Sequence, residues 1–516
     1  MIDLPSFHVS TPWPHIVAFY CATLLPLVVG LPPVIAITES VHVMTEREIW
    51  REIARFWSKL FGIALLMWTI GSMVLVILYG ADPGRFGRYL HGTPGPWLIL
   101  LLAPLVFAGG AYLWRLSTDG WGVGRLRHLV VTWLWMPLST LVVLKIAIGY
   151  GLMDRPAGAI LDPGGMQVRI RDLPSVLLNP AAQARFVHLV ASCYLTAATF
   201  VLSVSSWYLL RGRNVQIARR SMTVAAGFGL AAALSLAVLG DRDGYAGAPG
   251  QQMRIAAIAG EWHTRPAPAS LILLGIPDPA GHRTRAALRV PWMLGLAVTH
   301  SWRMPVAGLD DLEAANASRI RRGLAEFVAL DARDALAHGA GSPADLAAAN
   351  PDLGYGLLLL RHVRIPTARG SGDAMAAAAC DTIPNVPLLF WSFRAMALLG
   401  AYGLVLFGAS FWLASRRRLD QRGFLRIAAC SWPVPWVAGA LGWIVSEAGR
   451  GPWLIDGLLP VTGMDATESG RLVAVIAYAA LSGLFVAGAV SAMRLVRLGP
   501  DGLKIWPADT DLTRTY

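Results

Sequence analysis

The sequence predicts an all-α integral membrane protein, with nine transmembrane helices and a large extracytoplasmic loop between the sixth and seventh. Three observations lead there. Of 516 residues, 55% are apolar and 15% charged, with a mean hydropathy of +0.52, whereas soluble domains carry about 25% charged residues. Nine stretches reach the length of about 20 mostly apolar residues that a bilayer crossing needs. Arginine is concentrated in alternate short connections, as on the cytoplasmic side of a membrane protein. The net charge of +12 raises nucleic acid as a partner, but the basic residues lie between apolar runs and form no separate module, which argues against one. Cys21, Cys193, Cys380 and Cys430 show no C-x-x-C spacing, so neither a disulfide framework nor a zinc site is indicated.

Taken in order, the spans are expected near 15–38, 57–80, 96–115, 128–150, 186–210, 221–240, 388–414, 424–446 and 471–495. The first lacks a basic leading region, and Glu39 to Arg55 continues as an amphipathic segment, so it reads as a retained helix and not a cleaved signal. The connection between spans 5 and 6 holds Arg211, Arg213, Arg219 and Arg220, and that between spans 7 and 8 holds Arg416, Arg417, Arg418 and Arg422. Those after spans 1 and 3 agree, with Arg47, Arg51 and Arg55 and with Arg115, Arg125 and Arg127. These sides are read as cytoplasmic, which puts the N-terminus outside and the C-terminus inside. Three parts follow: helices 1–6 over residues 1–240, an extracytoplasmic loop over 241–387, and helices 7–9 with a cytoplasmic tail over 388–516. Within the loop, 309–338 has helical spacing, while 241–268 and 279–288 read as irregular. The lack of repeats and of a midplane charged pair argues against a transporter.

Ionisable groups inside spans are costly and mark function. His188 lies two residues into span 5, at shallow outer depth. A neutral imidazole can ligate haem iron, and an opposing thioether raises its potential; alternatively His188 is an interfacial, hydrogen-bonded side chain. Met396 on span 7 falls at comparable depth, where a methionine otherwise simply packs. The neighbouring Arg394 needs an anion, which a haem propionate would provide. Glu447 ends span 8 within the string from Gly442 and Trp443 to Trp453, and can ligate a high-spin iron or pair with Arg450.

These residues, in order with Phe56 to Gly62, Asn179-Pro180 through His188, Gly240 to Tyr245, Glu261-Trp262 to Pro268, Asp352 to Gly356, Phe393 to Met396 and Gly449 to Trp453, resemble subunit I of the cytochrome bd-type quinol oxidases. The resemblance covers nearly the whole chain. It implies a low-spin haem b held by His188 and Met396 with Arg394 alongside, and a second, high-spin haem b ligated by Glu447 near Trp443 and Arg450. It further implies quinol as substrate at the outer loop, where Arg254 and Glu261 are the residues assigned to it, and oxygen reduction at a haem d with protons drawn from the cytoplasm. The implied partners are a second multi-span subunit, a small single-span subunit and membrane lipid, in the bacterial cytoplasmic (inner) membrane.

The chain departs from the family at informative places. The axial histidine of span 1 falls on Cys21, the two acidic residues of span 3 on Leu101 and Gly109, and the lysine and glutamate of the loop on Arg254 and Ala259. Cys21 can act as a thiolate ligand or as a small buried hydrophobe. Leu101 and Gly109 can neither ligate iron nor relay a proton, and an arginine stays protonated where a lysine need not. The expectation is a divergent subunit I passing electrons from quinol through haem b towards oxygen. The alternative is a paralogue that serves as an electron-transfer or structural subunit without oxygen reduction.

Overall fold

A computed structural model describes residues 12–81, 125–162, 167–247, 251–336, 352–362, 372–461 and 468–502. In chain order the elements are helices α1 (Pro12–Thr45), α2 (Glu48–Ala81) and α3 (Arg125–Asp154), strands β1 (Ala159–Asp162) and β2 (Gln167–Ile170), and helices α4 (Leu173–Leu177), α5 (Pro180–Leu210), α6 (Val215–Gly247) and α7 (Gln252–Ala259). Strands β3 (Leu271–Asp278) and β4 (Arg283–Val290) follow, then α8 (Met293–Thr299), α9 (Leu309–Leu336), α10 (Leu353–Leu357), α11 (Gly372–Cys380), α12 (Val386–Ser415), α13 (Arg422–Cys430) and α14 (Val434–Arg450). Strands β5 (Trp453–Ile455) and β6 (Leu459–Pro460) and helix α15 (Glu468–Gly502) complete the chain.

Among the described residues, eight helical segments are long and apolar enough to cross a membrane. The expected third span, 96–115, with Leu101 and Gly109, lies outside the described residues. One crossing, Arg422–Arg450, is built from α13 and α14 together. The sequence reads as continuous there, but Pro433 and Pro435 remove backbone donors and end α13 near Cys430. Helix α1 also outruns its expected end. It continues to Thr45, and Glu39, at the start of the expected amphipathic segment, is buried at 1% exposure.

The extramembrane part is not purely helical. Residues 279–288, read as irregular, largely form β4, which pairs antiparallel with β3 from Leu271↔Val290 to Asp278↔Arg283. Within 241–268, α6 runs on to Gly247 and α7 forms. Helix α9 occupies the stretch where helical spacing is seen.

The main apolar core joins α1, α2, α5 and α6, with Val29, Leu31, Phe56, Trp57, Leu202 and Met222 essentially inaccessible. Small residues set the close approaches, as is common between membrane helices. A Cβ on Gly30 would lie 2.5 Å from Ala197 Cβ and closer still to the Cys193 carbonyl oxygen, so α1 and α5 meet backbone to backbone. Helix α12 packs against α6 and α14, and β3 lies on α12.

Candidate functional site

Six site residues from the sequence lie on three helices: His188 on α5, Arg394 and Met396 on α12, and Trp443, Glu447 and Arg450 on α14. Helix α5 is started by Asn179, whose side chain accepts from Ala181 N at 3.1 Å, with Pro180 at the first helical position. The same Asn179 amide donates to the carbonyls of Gly151 (3.0 Å) and Arg155 (2.8 Å), tying α5 to the end of α3. This fixes the height of His188, which is half-buried. Met396 is positioned likewise by α12, whose cap Asn385 accepts from Leu388 N at 3.1 Å.

Glycine flanks both donor atoms. A Cβ on Gly442 of α14 would lie 3.0 Å from Met396 Sδ, and one on Gly240 of α6 would lie 3.8 Å from His188 Cε1. The Met396 thioether packs against Gly442 and the His188 ring edge faces Gly240, and imidazole with thioether is a donor set that suits a haem iron.

Arg394 is a clamp. It donates from Nε to Leu273 O (2.8 Å), from Nη1 to Ile258 O (2.9 Å) and Phe390 O (2.7 Å), and from Nη2 to Ile272 O. Its guanidinium also stacks on Phe390, 3.3 Å from the ring centroid. Carbonyls satisfy its hydrogen bonds but do not neutralise its charge, so an anion remains compatible with the site.

Glu447 and Arg450 close the last turn of α14, with Arg450 Nη2 donating to Glu447 Oε2 at 2.7 Å. Tyr150 shares side-chain hydrogen bonds with Glu447 and Trp443. Beneath them sits Asp154, 5% exposed, 2.7 Å from Arg185, 3.7 Å from Arg450 and 3.9 Å from Arg254. Arg254 thus reaches the same cluster from α7. Gly449 admits its stem, since a Cβ there would lie 2.6 Å from Arg254 Cγ. Glu261 belongs elsewhere, buried between Arg265 (2.9 Å) and Arg289 (2.5 Å).

Cys21 lies in the main core at 9% exposure. Its Sγ is 3.9 Å from Ser72 Oγ, and a Cβ on Gly71 would come within 3.3 Å of it. A thiolate is favoured by adjacent cations, and the neighbours seen here are a hydroxyl, a glycine and apolar side chains, which suit a packed thiol.

Near the opposite end of α1, Glu39 accepts from Thr132 Oγ1 (2.7 Å) and meets His128 Nδ1, all three buried.

A sequence profile described as cytochrome bd terminal oxidase subunit I matches residues 15–500. The chain belongs to the cytochrome bd terminal oxidase subunit I family. It is 34% identical over 94% of its length to the cytochrome bd-II ubiquinol oxidase subunit 1 of Escherichia coli (strain K12), covering 95% of that protein. It is 22% identical to the cytochrome bd ubiquinol oxidase subunit 1 of Bacillus subtilis (strain 168), over 88% of this chain and 85% of that one. The structure of the bd oxidase from Geobacillus thermodenitrificans shares the fold, with a TM-score of 0.70 and 19% identity, over 95% of this chain and 98% of that chain.

In this bd-family chain, sequence reasoning missed Tyr150, Asp154 and Arg185, and also the buried Glu39–His128–Thr132 group. The signal for Tyr150 and Asp154 is an i, i+4 pair on the last turn of a span whose expected end at 150 cuts between them. Glu39 directly follows the expected end of span 1 at 38, eight residues before Arg47, where charge is ordinary.

Proposed function

We infer that this chain is the haem-binding subunit I of a bd-type quinol oxidase, receiving electrons from quinol at the end that carries α7 and passing them through haem b. What supports it is the match over nearly the whole chain to a relative named ubiquinol oxidase subunit 1, together with Met396 Sδ beside Gly442 and the His188 ring beside Gly240. His188 and Met396 would hold the low-spin haem b, with the Arg394 charge available to a propionate. Glu447 would ligate the high-spin haem b, flanked by Trp443 and Arg450. Haem bound there supplies one-electron carriers between a two-electron donor and oxygen.

The chain's own residues then divide the work. Arg254 can hydrogen-bond a quinol oxygen but does not take its proton. Glu261 is ion-paired with Arg265 and Arg289 and shapes the loop. Asp456, between β5 and β6, is pushed by burial from the ordinary 3.8 to about 7, so this carboxyl exchanges a proton near neutral pH. In this reading the arginine-rich connections face the cytoplasm of a bacterium, the segment 241–387 faces outwards, and a second multi-span subunit completes the complex in the inner membrane.

The setting of Cys21 favours a second reading, in which the subunit transfers electrons or serves a structural role without reducing oxygen by the usual route. A reduced-minus-oxidised spectrum of the purified complex, with haem extraction, tests both. A chlorin band supports the oxidase, b-type bands alone support the relay, and no haem at all overturns both of these and leaves the structural role. His188→Ala should abolish the low-spin α-band while the protein still inserts; an unchanged band would rule out the His188–Met396 pairing.

A further inference from the structure

Asp154 joins two parts of the site that the sequence treats separately. Its carboxylate lies 2.7 Å from Arg185 Nη2, 3.7 Å from Arg450 Nη1 and 3.9 Å from Arg254 Nη1. Arg450 in turn donates from its other nitrogen to Glu447 Oε2 at 2.7 Å. Arg185 and Arg450 also face the Tyr150 ring, at 5.2 and 5.5 Å from its centroid, and Tyr150 hydrogen-bonds Glu447. Asp154 and Arg450 are each 5% exposed, and the side chains of Arg185 and Arg254 only 13% and 12%. Charges so far from water are held by each other, and deleting one leaves its partners buried and uncompensated.

We propose that Asp154 is a positioning residue for both Glu447 and Arg254: it divides Arg450 between two carboxylates, leaving Glu447 able to act as a ligand, and it anchors the quinol-side arginine. The proposal rests on the reading of Glu447 as a haem ligand. Without the Asp154 charge, Glu447, already the nearer carboxylate at 2.7 Å, no longer shares Arg450 with Asp154 and is drawn into a fuller ion pair. Arg254 loses its anchor at the same time, so the two effects are coupled through one side chain.

The test is Asp154→Asn in the purified complex, a change that keeps shape and removes charge. The expected result is a loss of at least half of the high-spin haem signal, with the low-spin α-band of His188 and Met396 retained, and a quinol KM raised several-fold beyond any change in kcat. A full high-spin signal together with a quinol KM within twofold of the parent overturns the proposal. If Asp154→Asn does not assemble, Asp154→Glu decides. A displaced high-spin band with a raised KM supports the positioning role, and an unchanged band and KM overturn it. Glu447→Gln keeps the failures apart, because full high-spin haem in that variant refutes the ligand reading itself, whatever Asp154 does.

Discussion

Asp456 shows what a residue's setting does to its chemistry. Burial raises its carboxyl pKa from 3.8 to about 7, Asp154 adds to the rise, and Arg254, Arg319 and Arg450 oppose it. The folded protein therefore holds a proton that the unfolded chain has already released between those values. The stability this group contributes is fully present below 3.8 and is lost as pH rises through about 7. Asp456→Asn, which is neutral throughout, should raise the thermal midpoint over the parent by a margin that widens from pH 4 to pH 7 and then levels off. A margin independent of pH would contradict the shift. At Cys21 the geometry describes a packed thiol, so Cys21→Ala should leave quinol-driven oxygen uptake, if any is measured, within about twofold; its abolition would establish the thiolate as an iron ligand. Candidate ligands are legible at this scale as residue types. His188, Met396, Glu447 and Arg450 stand out as polar or sulfur-bearing groups in apolar runs, whereas Asp154 and Arg185 lie at span ends, where charge is ordinary and only the fold shows that it is buried.

Helices and hairpins were read unevenly, for physical reasons. Long apolar runs declare themselves by length, and the end of α9 was placed within two residues. The strand β4 did not. Its sequence, Arg283-Thr-Arg-Ala-Ala-Leu-Arg-Val290, lacks strict alternation because the strand is largely exposed on both faces and is held by backbone pairing to β3. The break between α13 and α14 follows from two prolines whose effect an apolar average conceals. Packing between elements also depends on positions that hydropathy overlooks. Gly30→Ala would force α1 and α5 apart at the Cys193 carbonyl, and overpacking of this kind costs about 1–3 kcal/mol. The expected outcome is a lower temperature of haem release with an unchanged spectrum at 25 °C, and an equal midpoint in the two proteins would show that the helices can give.

For the whole molecule, the arginine asymmetry predicts that the segment 241–387 faces away from the cytoplasm. Cys380 is exposed and makes this measurable: an impermeant thiol reagent added outside spheroplasts should label it, and labelling from the cytoplasmic side alone would invert the topology. The general architecture was legible because bilayer crossing leaves so strong a compositional trace, while the distribution of charge around Asp154 required the fold. The Arg394 clamp has a consequence for how the chain is made. Its acceptors Ile258, Ile272 and Leu273 precede it by 136, 122 and 121 residues. At about 5–20 residues per second, the β3–β4 hairpin waits roughly 6–25 seconds after synthesis before its anchor is made. Until α12 is made, the hairpin lacks this anchor and is expected to be open to protease. Ribosome-arrested chains ending shortly before residue 394 should be cut within 260–290 by external protease, and chains arrested well beyond α12 should resist; equal cleavage of both would show that the hairpin docks without its arginine.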